Sequence, residues 1–270
     1  MLHTIRTFPF EYPVKQAEIA LLGIPWDSSE TGKSVKHGPL FIREAIRNLP
    51  GYDLQSKQNV FEKFKFSDSG DIEVTQANWK LTEEKIKDTI KELFKENPKI
   101  FPVFLGGDHL ISLAALNALS EIKKEKITVI HFDAHRDLLP EWMGELYSHI
   151  TWANKLLKSN KFDLIQLGIR SSSSEEEKIA KKKKIKSSLK KISGPVYVSV
   201  DLDVFDPSFA PEVGTPEPMG MNPEEFFSLL KTACKNNLIG FDLTECASEK
   251  VNSQTAILAA NIFKKVLLWK

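Results

Sequence analysis

Short apolar runs recur along the chain, and most of them stop at a polar cluster. Ala20-Leu21-Leu22-Gly23-Ile24-Pro25, Ile100-Phe101-Pro102-Val103-Phe104-Leu105, Ile127-Thr128-Val129-Ile130, Phe162 to Arg170, Pro195 to Val200 and Leu238 to Leu243 are of strand length and rich in β-branched and aromatic residues. Phe61 to Phe66 alternates and predicts a further strand, with Asp68-Ser69-Gly70-Asp71 as the loop after it. Between these runs the apolar period changes to that of a helix. Gly38-Pro39 opens one through Ile42, Ala45, Ile46 and Leu49. Leu81 to Phe94, Ser112 to Leu119, Thr151 to Leu157, the stretch opened by Pro223, and Thr255 to Leu268 give the others. Glu175 to Lys191 is so charged that it reads as a solvated helix face. Strands alternating with helices predict a mainly parallel sheet covered on both sides, an α/β fold of three layers. No repeat, linker or low-complexity stretch divides residues 1–270, so a single domain is expected.

In such sheets ligands bind beyond the carboxyl ends of the strands, and the polar clusters lie there: Asp27, His109, Asp133 to Asp137, Asp201 with Asp203, and Glu245. The densest is Asp133-Ala134-His135-Arg136-Asp137. Residues two apart in extended chain point the same way, so Asp133, His135 and Asp137 can converge. Asp201 and Asp203 repeat that spacing, and His109 follows Gly106-Gly107, which lets the backbone turn sharply and pass close to a ligand. A lone Asp-x-Asp usually caps a loop. Four carboxylates and two imidazoles collected at strand ends are another matter, because carboxylates in contact repel and take up protons unless cations bind them. Two divalent ions cancel four negative charges. Oxygen-rich ligation with two imidazoles favours two Mn²⁺ ions per subunit, with Co²⁺, Ni²⁺, Fe²⁺ or Zn²⁺ as substitutes. His131 reads as a core or supporting histidine, and His3 and His37 as surface residues. Asp27 reads as a loop cap or an orienting residue.

The bulk numbers narrow the class. A net charge of +1 with 27% charged residues argues against nucleic-acid and membrane partners. No apolar run is long enough to span a bilayer, and Met1 to Arg6 lacks a signal-peptide layout. Two cysteines, Cys234 and Cys246, leave no disulfide framework. A cytoplasmic protein is expected.

Three segments resemble the ureohydrolase family of arginases and agmatinases: Gly106-Gly107-Asp108-His109, Asp133-Ala134-His135-Arg136-Asp137, and Ser199-Val200-Asp201-Leu202-Asp203-Val204-Phe205-Asp206-Pro207, the last continuing to Gly214-Thr215-Pro216-Glu217-Pro218. The resemblance implies a two-manganese site that hydrolyses a guanidinium to urea and an amine, in a trimer or hexamer. It implies one ion held by His109, Asp133, Asp137 and Asp201, and a second held by Asp133, His135, Asp201 and Asp203. His149 would shuttle a proton to the leaving amine, for which its ordinary pKa suits it. Glu245 would bind the guanidinium through paired hydrogen bonds, and Asp137 would accept a proton from the attacking water.

The substrate depends on the loop after Asp137. Leu138-Leu139-Pro140-Glu141-Trp142-Met143-Gly144-Glu145 offers no donor for an α-carboxylate and resembles agmatinase more than arginase. Trp142 and Met143 would pack on the methylenes of a small guanidino substrate and Glu141 or Glu145 would face its terminal amine, which favours agmatine giving putrescine and urea. Arginine, guanidinobutyrate and formiminoglutamate are the alternatives, as is a catalytically silent metal-binding subunit. Ile150 and Met219 stand where agmatinase-like sequences have glycine and are expected to narrow the pocket. Arg170 is expected either to make a salt bridge at the sheet edge or to hold a substrate carboxylate.

Overall fold

The computed structural model describes residues 12–28, 33–189 and 192–270. In chain order the elements are β1 (Ile19–Ile24), α1 (Gly38–Asn48), a small antiparallel pair β2 (Tyr52–Asp53) and β3 (Gln58–Asn59), α2 (Val60–Lys63), β4 (Phe66–Asp71), α3 (Trp79–Glu96), β5 (Phe101–Gly106), α4 (Ile111–Lys123), β6 (Ile127–Phe132), α5 (Trp152–Leu156), β7 (Phe162–Leu167), α6 (Ser174–Lys183), β8 (Pro195–Asp201), α7 (Pro223–Cys234), β9 (Asn237–Thr244) and α8 (Gln254–Trp269). Seven strands form one all-parallel sheet in the order β4-β1-β5-β9-β8-β6-β7.

Strand parity divides the core in two. Val103, Leu105, Ile130, Phe132, Val196, Val198 and Val200 pack against α1, α7 and α8. Phe104, Ile127, Val129 and Tyr197 face α3, α4, α5 and α6. Burial on both faces explains why the strands read as continuous apolar runs rather than alternating ones. The helix starts follow local chemistry. Asn222 caps α7 ahead of Pro223, Ser253 caps α8, and Ser173 with Glu176 forms a reciprocal capping box on α6.

Two expectations for the first third fail. Phe61 begins no strand: Asn59 accepts from Phe61 N and starts the short helix α2, so the alternation is that of one helical turn followed by an extended corner. Asp68 to Asp71, expected to be a loop, is the outer half of edge strand β4, which tolerates polar residues because only one side of it is paired. The charged helix ends at Lys183, where Lys184 takes a left-handed conformation, and residues 190–191 of the expected span lie outside the described residues. Its face is solvated except for Glu176 and Ala180, which turn inward. His37 is exposed, as expected, and His3 lies outside the described residues.

Candidate metal centre and catalytic pocket

The polar residues converge where β5, β6, β8 and β9 end. β6 and β8 are neighbours in register, Phe132 opposite Val200, so Asp133 and Asp201 leave the sheet side by side. His109 arrives from β5 through Gly106-Gly107. The expected close approach is real, but its partner differs: a side chain on Gly107 would overlap the Trp26 carbonyl, so that glycine lets two backbone segments touch. Asp137 (φ 56°) and Glu245 (φ 63°) hold left-handed backbone conformations that non-glycine residues seldom adopt.

His109 Nδ1 is ringed by three carboxylate oxygens, at 3.1 Å from Asp133, 3.1 Å from Asp201 and 3.5 Å from Asp137. His135 Nδ1 lies 2.9 Å from Asp203 Oδ2 and 3.5 Å from Asp133 Oδ1. Asp133 belongs to both groups, and the four carboxylates are buried. Burial and the neighbouring carboxylates push Asp137 and Asp201 far above the ordinary carboxyl range. Burial, then Asp133, raises Asp203. Burial would also raise Asp133, but His131, His109 and His135 beside it more than offset that and hold it well below its usual value. Burial would lower His109, yet Asp133 and Asp137 hold it up at about 9. His135 is raised by Asp133 and Asp203 against the same opposing burial. A donor set that must otherwise collect protons is what divalent ions neutralise, so these residues fit a pair of them.

A cavity of about 40 Å³ opens beside the cluster, lined by His109, His135, Asp137, His149, Ile150, Asp201, Thr215 and Glu245. Two of its polar atoms, His149 Nδ1 and Glu245 Oε2, are buried without a partner among the described residues. Glu245 Oε1 accepts from His109 N at 2.9 Å, which orients the carboxylate. Burial, then Asp201 and Asp108, raises Glu245 well above its usual value. His149 departs from expectation: burial, then the neighbouring His109 and His135, lowers it to about 4, so it is neutral at pH 7.

Several other expectations need correction. Trp142 and Glu145 do not line this cavity. They face each other across a tight turn whose tip is Met143-Gly144, both with positive φ, and all four are exposed. Ile150 does narrow the cavity, whereas Met219 is 90% exposed and lies outside it. Arg170 makes no ion pair and holds no carboxylate among the described residues. Its guanidinium donates to the carbonyls of Gly168, Asp203, Val204, Phe205, Glu217 and Pro218, tying together the segments that follow β7 and β8. Asp27 acts as a cap, accepting from Ser34 Oγ and Val35 N. His131 is fully buried and supports Asp133, its Nε2 lying 2.6 Å from Asp133 Oδ2.

Sequence reasoning missed a layer of supporting residues. Trp152 Nε1 donates to Asp137 Oδ2 at 2.7 Å, and its ring stacks on His109. Asp242 accepts from Ser112, Tyr197 and Ser199, and Ser199 Oγ meets His109 Nε2 at 2.8 Å. The available signals were a single acid inside the apolar β9 and the shared parity of Tyr197, Ser199 and Asp201.

An all-parallel three-layer sheet with a buried, carboxylate-rich two-ion donor set at its carboxyl edge defines a metal-dependent hydrolase. The arginase family model matches residues 17–269, and the chain belongs to the arginase family, whose members depend on two metal ions and act on guanidino groups. It is 33% identical to the N(1)-aminopropylagmatine ureohydrolase of Thermococcus kodakarensis over 97% of this chain and 94% of that protein. It is 32% identical to the agmatinase of Pyrococcus horikoshii over 99% and 98%. Among solved structures, proclavaminate amidino hydrolase from Streptomyces clavuligerus superposes with a TM-score of 0.87 at 27% identity, covering 98% of this chain and 97% of that one.

Proposed function

We propose that the chain hydrolyses agmatine to putrescine and urea. One observation carries the choice of substrate: the cavity is lined by carboxylates, imidazoles, Thr215 and Ile150, and among the described residues no lysine or arginine lines it to meet a substrate carboxylate. Arg170, the cation that sequence reasoning offered for that role, has its donors committed to backbone carbonyls.

In this reading His109, Asp133, Asp137 and Asp201 hold one ion, and Asp133, His135, Asp201 and Asp203 hold the other. When bound, the ions would acidify a water and neutralise the carboxylates around them. Glu245 receives the planar guanidinium on its unpartnered Oε2 and holds it by charge-assisted hydrogen bonds. Asp137, steadied by the Trp152 indole, accepts the proton that the attacking water gives up. His149 then passes on to the departing amine the proton that Asp137 took from the water. Ile150 supplies the apolar wall of the cavity among the described residues. The relative named for N(1)-aminopropylagmatine supports testing that substrate too.

The test is a panel assay. Manganese-loaded protein is given agmatine, N(1)-aminopropylagmatine, arginine, guanidinobutyrate and formiminoglutamate, and urea and formamide are measured. We expect the highest kcat/KM with agmatine. Absence of turnover with the whole panel would refute guanidino hydrolysis, and preference for a carboxylate-bearing substrate would refute agmatine.

A further inference from the structure

We propose that Gln166 is a positioning residue for the metal centre, fixing the His131 proton on Nε2 so that His131 holds Asp133 in place. The inference rests on the ligand assignment above and concerns a residue that neither lines the cavity nor touches the ligand carboxylates.

Gln166 stands on β7 directly opposite His131 on β6, and it is 1% exposed, so water does not substitute for its partners. Its amide orientation follows from one neighbour. Arg136 has only donors, and its Nη1 lies 3.0 Å from Gln166 Oε1, so that atom is the oxygen. The amide nitrogen therefore faces two acceptors, the Arg136 carbonyl at 2.7 Å and His131 Nδ1 at 3.1 Å. A ring nitrogen that accepts carries no proton, which places the proton of the neutral imidazole on Nε2, pointing at Asp133 Oδ2 2.6 Å away. The other tautomer would set a ring N–H against the amide hydrogens and a lone pair against the carboxylate.

The same amide acts on a second ligand. The Arg136 carbonyl that it holds belongs to the peptide leading into Asp137, the residue with left-handed backbone. The far side of that residue is fixed by Leu138 N donating to Glu176 Oε1 and by Asn154 N donating to the Asp137 carbonyl. One buried side chain thus constrains Asp133 through an imidazole and Asp137 through the backbone. Groups that orient metal ligands in this way typically change metal affinity by about 10- to 100-fold when removed.

The test replaces Gln166 by glutamate, which keeps the acceptor for Arg136 and removes both donors. Cobalt affinity is read from the visible ligand-field bands and metal content by elemental analysis after gel filtration. We expect wild type to hold two ions and Gln166→Glu to bind at least one of them about 10- to 100-fold more weakly, with an unchanged circular dichroism spectrum. Affinity within about threefold of wild type, in a folded variant, would overturn the proposal. A second measurement needs no variant to fold: long-range ¹H–¹⁵N spectra of histidine-labelled, zinc-loaded wild type should place the His131 proton on Nε2, and a proton on Nδ1 overturns the proposal equally. Fewer than two ions in the wild type would overturn the ligand assignment instead, and the histidine spectrum would still decide the position of the proton.

Discussion

Replacing Arg170 by lysine separates a structural arginine from one that binds substrate. The guanidinium contacts six carbonyls, of which those of Asp203, Val204, Glu217 and Pro218 lie within 3.1 Å. At about 1 kcal/mol net for each of those four bonds, and with one recovered by the lysine ammonium, the change costs ~3 kcal/mol. For a chain of this size that lowers Tm by roughly 6 to 12 °C. The measurement is urea unfolding and thermal denaturation, set beside kcat/KM for agmatine and for guanidinobutyrate. The ratio of the two specificity constants should stay the same, because no donor of Arg170 is available to a ligand. Unchanged stability combined with a selective rise in KM for guanidinobutyrate would refute the reasoning and make Arg170 a carboxylate anchor.

Two further outcomes follow from single residues. His149→Asn should lower kcat by about 10²- to 10⁴-fold, with little change in KM or metal content, in steady-state assays; a change confined to KM would remove the proton-transfer role. Asp53 is paired with Lys265 at 2.5 Å, and although burial raises its carboxyl, that ion pair and the bonds from Ser56 hold it at about 2. Because the folded value lies below the unfolded one, the stabilisation is complete above about pH 4 and is lost as pH falls toward 2. The displacement amounts to about 2 kcal/mol, and urea unfolding between pH 5 and 2 should show that loss in wild type and a smaller one in Asp53→Asn.

The alternation of strands and helices, and the clustering of acids and histidines at the strand ends, were legible because both obey short-range rules. An apolar run that stops at Asp-x-His-x-Asp can be read without knowing its neighbours. What could not be read depends on which strands lie side by side. Asp242 matters because β9 sits beside β8, with Asp242 opposite Ser199. Gln166 matters because β7 pairs with β6. Trp142 and Glu145 were misplaced because proximity in sequence to Asp137 does not set loop direction, and the left-handed Met143-Gly144 turn carries both away from the cavity. The lowered pKa of His149 likewise comes from its surroundings in the folded protein rather than from its residue type.

The strand order has a consequence for how the molecule comes into being. β9 is the last strand in sequence, yet it occupies the middle of the sheet, between β5 and β8. Until it emerges from the ribosome, the strands before it can pair only as two separate ribbons, β4-β1-β5 and β8-β6-β7, each with an unpaired inner edge. Inserting β9 closes both edges in one event and brings Glu245 and Asp242 to the cluster in the same movement. Of the residues proposed to hold the ions, only His109 comes from the other ribbon, so a nascent chain that stalls after Asp203 already carries all of them on a sheet still open at its centre.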